Sequence, residues 1–303
     1  MPGQLLTLGV LLLALPRGHA APPGAPGPRE FRDAFLDGTG RDAPPMVGLG
    51  ARAFTMGSRS NEPEARPLEA RHAVELSPYS LGRYEVTHAE LAEFLNDWGN
   101  RTEEGRPWVL LDVPGVSLLE QVDGVFRPVP GAEQRPAVGV SWRGARAYCR
   151  WLSQKTGRRY RLPTEAEWEA AARAGADTAP AVTPSTRAEG TRPVGATPAN
   201  AWGLHGMQGN VWEWVLDCFE PDFYFYSPLR DPVLLDEACL APGIRGGGFR
   251  EGPGMARPGY RANAWWWGPY DSVGFRVARE GGAPRAPSPH PARASRIRTL
   301  KGH

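Results

Sequence analysis

The sequence predicts an α+β domain rich in loops, and three observations carry that expectation. Among the 303 residues, 37 are glycine, 32 are proline and 11 are tryptophan. Glycine and proline both interrupt helices, so this mixture opposes a helical bundle and favours irregular structure held by aromatic packing. Helical end signals coincide with an apolar stripe in three segments, and the other patterned stretches are short strands bounded by turn residues.

Taken in order, Leu5 to Leu15 form an apolar run followed by "GHA". This is the pattern of a secretory signal with cleavage after Ala20, too short for a membrane span, although the leading "MPGQ" has no lysine or arginine. Residues 1–20 are therefore expected to be a signal peptide, with the mature protein exported to the periplasm or the extracellular space. Residues 21–45, rich in Pro, Gly and Ala, read as a linker, and 46–280 as the globular unit. The tail 281–303 carries Arg285, Arg293, Arg296, Arg298 and Lys301 among prolines and serines, a composition expected to stay solvated and disordered. A formal charge of +2 with both signs interspersed leaves no nucleic-acid footprint. No later stretch is long and apolar enough to span a membrane, and a monomer is expected.

Within 46–280 the first helix starts at "THAE", where Thr87 and Glu90 form a capping box, with Leu91, Phe94, Leu95 and Trp98 on one face. The second starts at Ser141, turns Trp142, Ala145, Tyr148, Cys149 and Leu152 inward, and stops at Gly157. The third opens at "TEAE" with Thr164 and Glu167 as a second capping box and ends by Gly175. Strands are expected at 53–57, 72–76, 82–86 and 273–278.

Seven stretches follow one another in an order shared by a known family: "FTMGS" (54–58), "LGRYEVTHAELAEFL" (81–95), "VGVSWRGARAYCRWLS" (138–153), "RLPTEAEWEAAARAG" (161–175), "GLHGMQGNVWEW" (203–214), "RGGGF" (245–249) and "VGFRV" (273–277). Together they resemble the sulfatase-modifying-factor family, whose founding activity is that of the formylglycine-generating enzyme. The resemblance implies a single C-type-lectin-like domain, poor in regular structure and stabilised by calcium. In active members it also implies a cysteine pair that binds copper(I) and uses oxygen to oxidise a substrate cysteine to formylglycine. The chain departs from that pattern in the stretch that holds the pair. Residues 250–272 contain no cysteine, and motif spacing puts Glu251 and Pro253 near the two positions. Neither is a soft ligand, so no copper is expected. A second calcium site of the family falls on residues 176–195, which offer no such ligands here.

Glu213 sits between two tryptophans in "GNVWEW", and three roles stand open for it. It is an active-site acid, a calcium ligand, or a structural carboxylate bonded to backbone. The resemblance points to calcium, with Gly209, Asn210, Val211 and Glu213 as the oxygen donors. Cys218 and Cys239 enclose a loop of a size suited to a disulfide in an exported protein, and Cys149 reads as a core residue. Three consecutive tryptophans, Trp265, Trp266 and Trp267, cannot all point inward. With Arg257, Arg261 and Asp271 they either rim a cleft for a peptide or small-molecule ligand, near where the resemblance places the family's substrate cleft, or form a loop whose rings cap the core. Two functions compete: a binding module that has lost the redox centre, and an oxidoreductase of altered chemistry, as in exported relatives associated with siderophore maturation.

Overall fold

The computed structural model describes residues 28–281 except 112, 114 and 177–189. In chain order the strands before the first helix are β1 (Arg29–Phe31), β2 (Met46–Leu49), β3 (Arg52–Met56), β4 (His72–Leu76) and β5 (Tyr79–Gly82). Helix α1 (His88–Trp98) is followed by two small hairpins, β6 (Thr102–Glu103) with β7 (Arg106–Pro107) and β8 (Leu119–Val122) with β9 (Val125–Pro128). Then come α2 (Trp142–Thr156), β10 (Tyr160–Arg161), α3 (Glu165–Arg173) and β11 (Trp212–Cys218). The chain closes with β12 (Pro242–Arg245), β13 (Ala262–Asn263), β14 (Val273–Gly274) and β15 (Ala278–Glu280).

The helices start where their local chemistry puts them. At α1 the Thr87 hydroxyl accepts from the Glu90 N–H, while the Glu90 carboxylate accepts from the Thr87 N–H at 2.8 Å. Thr164 and Glu167 do the same for α3, and Ser141 caps α2 by accepting from Gly144 N–H. Each arrangement satisfies backbone donors that a helix start leaves unpaired. Helix α2 ends at Gly157 in the left-handed conformation, φ 65°, which glycine adopts without a Cβ clash.

Strands β1-β2-β5-β15-β10 form a five-stranded antiparallel sheet, and β13-β12-β11-β14 form a second, smaller one. Two buried clusters flank β11. Around α1 and α2 lie Phe94, Trp108, Tyr148, Trp151, Trp214 and Phe275; around α3 lie Met56, Val74, Trp168, Met207 and Val215. Because successive side chains of a strand point to opposite faces, Trp212 and Trp214 enter the first cluster while Glu213 and Val215 face α3. The acid between two tryptophans is thus a consequence of strand alternation.

Three expectations are corrected. The segment read as a linker over 21–45 belongs to the domain from Arg29 onward, since β1 pairs with β2 and Phe35 and Ala43 are buried. The strand expected at 82–86 lies upstream at Tyr79–Gly82, in register with β2. The one expected at 273–278 divides, because Val273–Gly274 pairs in parallel with β11 whereas Ala278 pairs with β5. The signal-peptide residues and 282–303 lie outside the described residues, as does most of the stretch expected to lack the second calcium site. Among the described residues no helix is long and apolar enough to cross a membrane.

Candidate functional site

The loops before β11 and after β12 lie against each other, Gly209 N–H donating to the Gly246 carbonyl at 2.8 Å. Gly246 and Gly247 have φ of 98° and 72°, and a Cβ on either would press on Trp168 or on the Ala256 backbone. The "GGG" run is what lets the chain turn this closely.

Beneath these loops runs a seam of buried ion pairs. Glu213 is 0 % exposed; its two oxygens accept from Arg276 at 2.6 Å each, and Trp168 Nε1 donates to one of them at 2.8 Å. Arg245 donates to Glu169 at 2.6 Å and to the Pro258 carbonyl. Arg261 reaches Glu165 at 3.0 Å and three backbone carbonyls, and Arg257 reaches Glu69 at 3.0 Å. Arginine suits this work because its planar fork satisfies a carboxylate and nearby carbonyls together. The seam fixes the path of residues 250–272 from behind.

The six residues expected to rim a cleft do not converge on one. Arg257 and Arg261 are buried and spent on internal partners, so they are corrected from ligand contacts to supports. Trp266 is buried beneath the Arg143 guanidinium, and Trp267 is half-buried against Arg106. Trp265 is 57 % exposed, so one of the three rings does face solvent. Asp271 pairs with Arg250 at the surface.

Of the expected calcium donors, Glu213 has the contacts of a structural carboxylate, though its partners are side chains rather than loop N–H groups. Asn210 holds its loop in place: φ is 66°, its Oδ1 accepts from Arg192 N–H, and its amide donates to Glu85 at 2.9 Å. Glu85 was not anticipated. It is 1 % exposed, its Oε2 has no hydrogen-bond partner, and it lies against Gly206, where a Cβ would strike it. Burial pushes its carboxyl upward, Arg276 opposes that and Glu213 adds to it. Two buried acids thus lie near one arginine that hydrogen-bonds only Glu213, and Glu85 Oε2 is left as a lone-pair-bearing oxygen without a hydrogen-bond partner. Among the described residues no three or more His, Cys, Asp or Glu converge as a metal cluster, so a cation here would draw mainly on amide and backbone oxygens.

Glu251 stands near one of the two positions where the resemblance places a thiolate. It is half-buried, its Oε2 accepts from Gly248 N–H at 2.8 Å, and Gly248 adjoins Trp212 and Ser272. Trp212 in turn meets Tyr260 at 5.9 Å between ring centroids. The sulfur atoms are elsewhere. Cys218 and Cys239 form a disulfide, and Cys149 is buried in the core, where desolvation pushes its thiol up to about 12.

Comparison with known proteins agrees with the architecture. The model of the sulfatase-modifying factor enzyme 1-like domain matches residues 33–281. The formylglycine-generating enzyme of Mycobacterium tuberculosis is 32 % identical over 253 residues, covering 65 % of this chain and 79 % of that protein. A mouse protein named inactive C-alpha-formylglycine-generating enzyme 2 is 29 % identical, covering 80 % of this chain and 88 % of its own length. Among solved structures, PvdO from Pseudomonas aeruginosa superposes with a TM-score of 0.67 at 33 % identity, over 84 % of this chain and 99 % of PvdO. The chain therefore belongs to the sulfatase-modifying factor family, alongside the formylglycine-generating enzymes.

Proposed function

We propose that this protein is an exported ligand- or peptide-binding member of its family that does not oxidise cysteine to formylglycine. The observation that carries the reading is the placement of its three cysteines. Two are tied to each other and the third is sealed in the core with its thiol held protonated. A copper(I) centre needs accessible thiolates, and Glu251 offers only a hard carboxylate. The disulfide is in keeping with an oxidising compartment. A ligand would meet the face that carries Glu251, the Arg250–Asp271 pair and the exposed Trp265.

Calcium fits the chain's own donors as a structural ion. Glu85, with its orphaned oxygen, would hold it together with Asn210 and carbonyls of the Gly209–Val211 loop, and Glu213 would stand close by, already neutralised by Arg276. Bound there, the ion supplies charge compensation and fixes the loop; it takes no part in chemistry.

The test is incubation with a peptide carrying the C-x-P-x-R pattern, copper and oxygen, followed by mass spectrometry. An unmodified peptide is expected, and protein-dependent conversion of its cysteine would overturn the reading. An oxidoreductase of altered chemistry is the second reading, and the half-buried Glu251 near a thiolate position is what favours it. Stoichiometric copper or iron in purified protein would move the balance to that alternative.

A further inference from the structure

The loop closed by Cys218 and Cys239 has an unusual surface. Between the two cysteines lie Glu220, Asp222, Asp231, Asp236 and Glu237 with Arg230 as the one base of the loop, a formal charge of −4, although Glu237 is also met by Arg146 of α2 at 3.2 Å. The same loop exposes Phe225, Tyr226, Leu229 and Leu235, four of the large apolar side chains that the domain leaves in solvent. Phe223 and Tyr224 anchor it inward, and the disulfide fixes its ends. An acidic face studded with aromatic and aliphatic side chains fits a basic segment that also carries apolar groups.

The chain itself contains such a segment, and it begins beside this loop. Residues 282–303 hold Arg285, Arg293, Arg296, Arg298 and Lys301 with no aspartate or glutamate, and Ile297 and Leu300 lie among the bases. Strand β15 runs antiparallel to β5, with Ala278 opposite Leu81 and Glu280 opposite Tyr79, so the chain leaves the sheet heading toward Ser77. Ser77 is tied to the acidic loop: its N–H and its hydroxyl each donate to Asp231 at 2.7 Å. Next to it the Glu75 N–H donates to the Leu229 carbonyl. Twenty-two residues extend to about 80 Å at most, so reach does not limit the contact.

We infer that the Cys218–Cys239 loop is a docking surface and that its occupant is the chain's own basic segment, residues 285–301. Charge brings the two together at short range, and Ile297 and Leu300 cover the exposed aromatic side chains. The inference does not depend on what the face carrying Glu251 binds.

The chain has two lysines, Lys155 and Lys301, which makes a carbodiimide zero-length cross-link a clean probe on the full-length protein. Lys155 pairs with Asp97 at 2.9 Å and provides an internal reference. Lys301 is expected to join Glu220, Asp222, Asp231, Asp236 or Glu237 within a single chain, as read from a mixture of ¹⁵N-labelled and unlabelled protein. The cross-link should be lost in molar salt, which screens charges beyond about 3 Å. It should weaken about threefold or more in the exposed-charge variants Asp222→Asn/Asp236→Asn/Glu237→Gln and Arg293→Ser/Arg296→Ser/Arg298→Ser, while Arg293→Lys/Arg296→Lys/Arg298→Lys retains it. Four results would overturn the inference: Lys301 joined to carboxylates elsewhere, joined only between labelled and unlabelled chains, unaffected by the charge variants, or uncoupled while Lys155–Asp97 forms.

Discussion

Glu213, on strand β11, and Glu251, in the loop after β12, have opposite fates. Glu213 is sealed, with both oxygens taken by Arg276 and one shared with Trp168. Glu251 is half-buried and has a single backbone donor, Gly248 N–H. The contrast separates scaffold from site. In the "GNVWEW" and "TEAEWE" motifs Glu213, Glu165 and Glu169 hold arginines that arrive from far along the chain, while Glu167 caps α3 and holds the nearby Arg161. In 250–272 the buried ion pairs continue at Arg257 and Arg261, which face inward, and Trp266 is buried in the core, whereas Trp265 and the Arg250–Asp271 pair lie at the surface.

If that division is right, Glu213→Ala should be the most damaging single change. It strands a buried guanidinium and an indole N–H, and removing one partner of a buried pair costs about 3–5 kcal/mol. Urea unfolding should show the midpoint falling by that equivalent, or no folded protein at all. A loss below about 1 kcal/mol, the median for surface pairs, would erase the distinction between the two acids.

Calcium sharpens the same comparison from the scaffold side. A ion that binds only the folded state stabilises it by about 2.7 kcal/mol at a hundredfold excess over its dissociation constant. Chelation should therefore lower the melting temperature of the wild type, and Glu85→Gln should remove that sensitivity. If the chelator leaves the wild type unchanged, the orphaned Glu85 oxygen is compensated by a proton.

The parts of this architecture visible in the sequence are those decided by neighbours in sequence. Thr87 with Glu90 and Thr164 with Glu167 are three residues apart, so their capping boxes can be read directly, as can the glycine stop at 157. Seven motifs in order carried the fold class. What stayed hidden depends on distant partners. Arg276 lies 63 residues from Glu213, and Arg261 lies 96 from Glu165. Without those partners, an arginine beside a tryptophan run looks like a ligand contact. Glu85 was concealed for the same reason, since its "YEVT" context is helix-start chemistry and its neighbour Asn210 is 125 residues away. Strand β1 is three residues long in a proline-rich stretch, too short for alternation to register.

The seam also makes a pH-dependent contribution where it meets the disulfide loop. Asp217 accepts from the Glu165 N–H and the Leu234 N–H, and burial, reinforced by the Glu165 charge, pushes its carboxyl up to about 7. In the unfolded chain an aspartate titrates near 3.9. Between these values the folded state holds a proton that the unfolded state has released, so stability is full below about pH 4 and falls as pH rises toward 7. The slope is at most about 1.4 kcal/mol per pH unit, and it vanishes above the folded value. Asp217→Asn should flatten this decline in unfolding measurements from pH 4 to 8; an unchanged slope would show that Asp217 is ionised throughout.

The smallest effect should come from Glu251→Ala. Its carboxylate is half in solvent and accepts one bond, from the Gly248 N–H. A substitution away from core, cap and buried pairs is usually worth within about 0.5 kcal/mol, and water can take the place of the lost acceptor. Unfolding should therefore be nearly unchanged, in contrast to the Glu213 variant measured beside it. A cost of several kcal/mol would place Glu251 in the scaffold with Glu213 and remove the reason to regard the 250–272 face as free for a ligand. A neutral result, paired with a large loss at Glu213, would locate the boundary between architecture and function in the few residues that separate the two carboxylates across the Gly209–Gly246 contact.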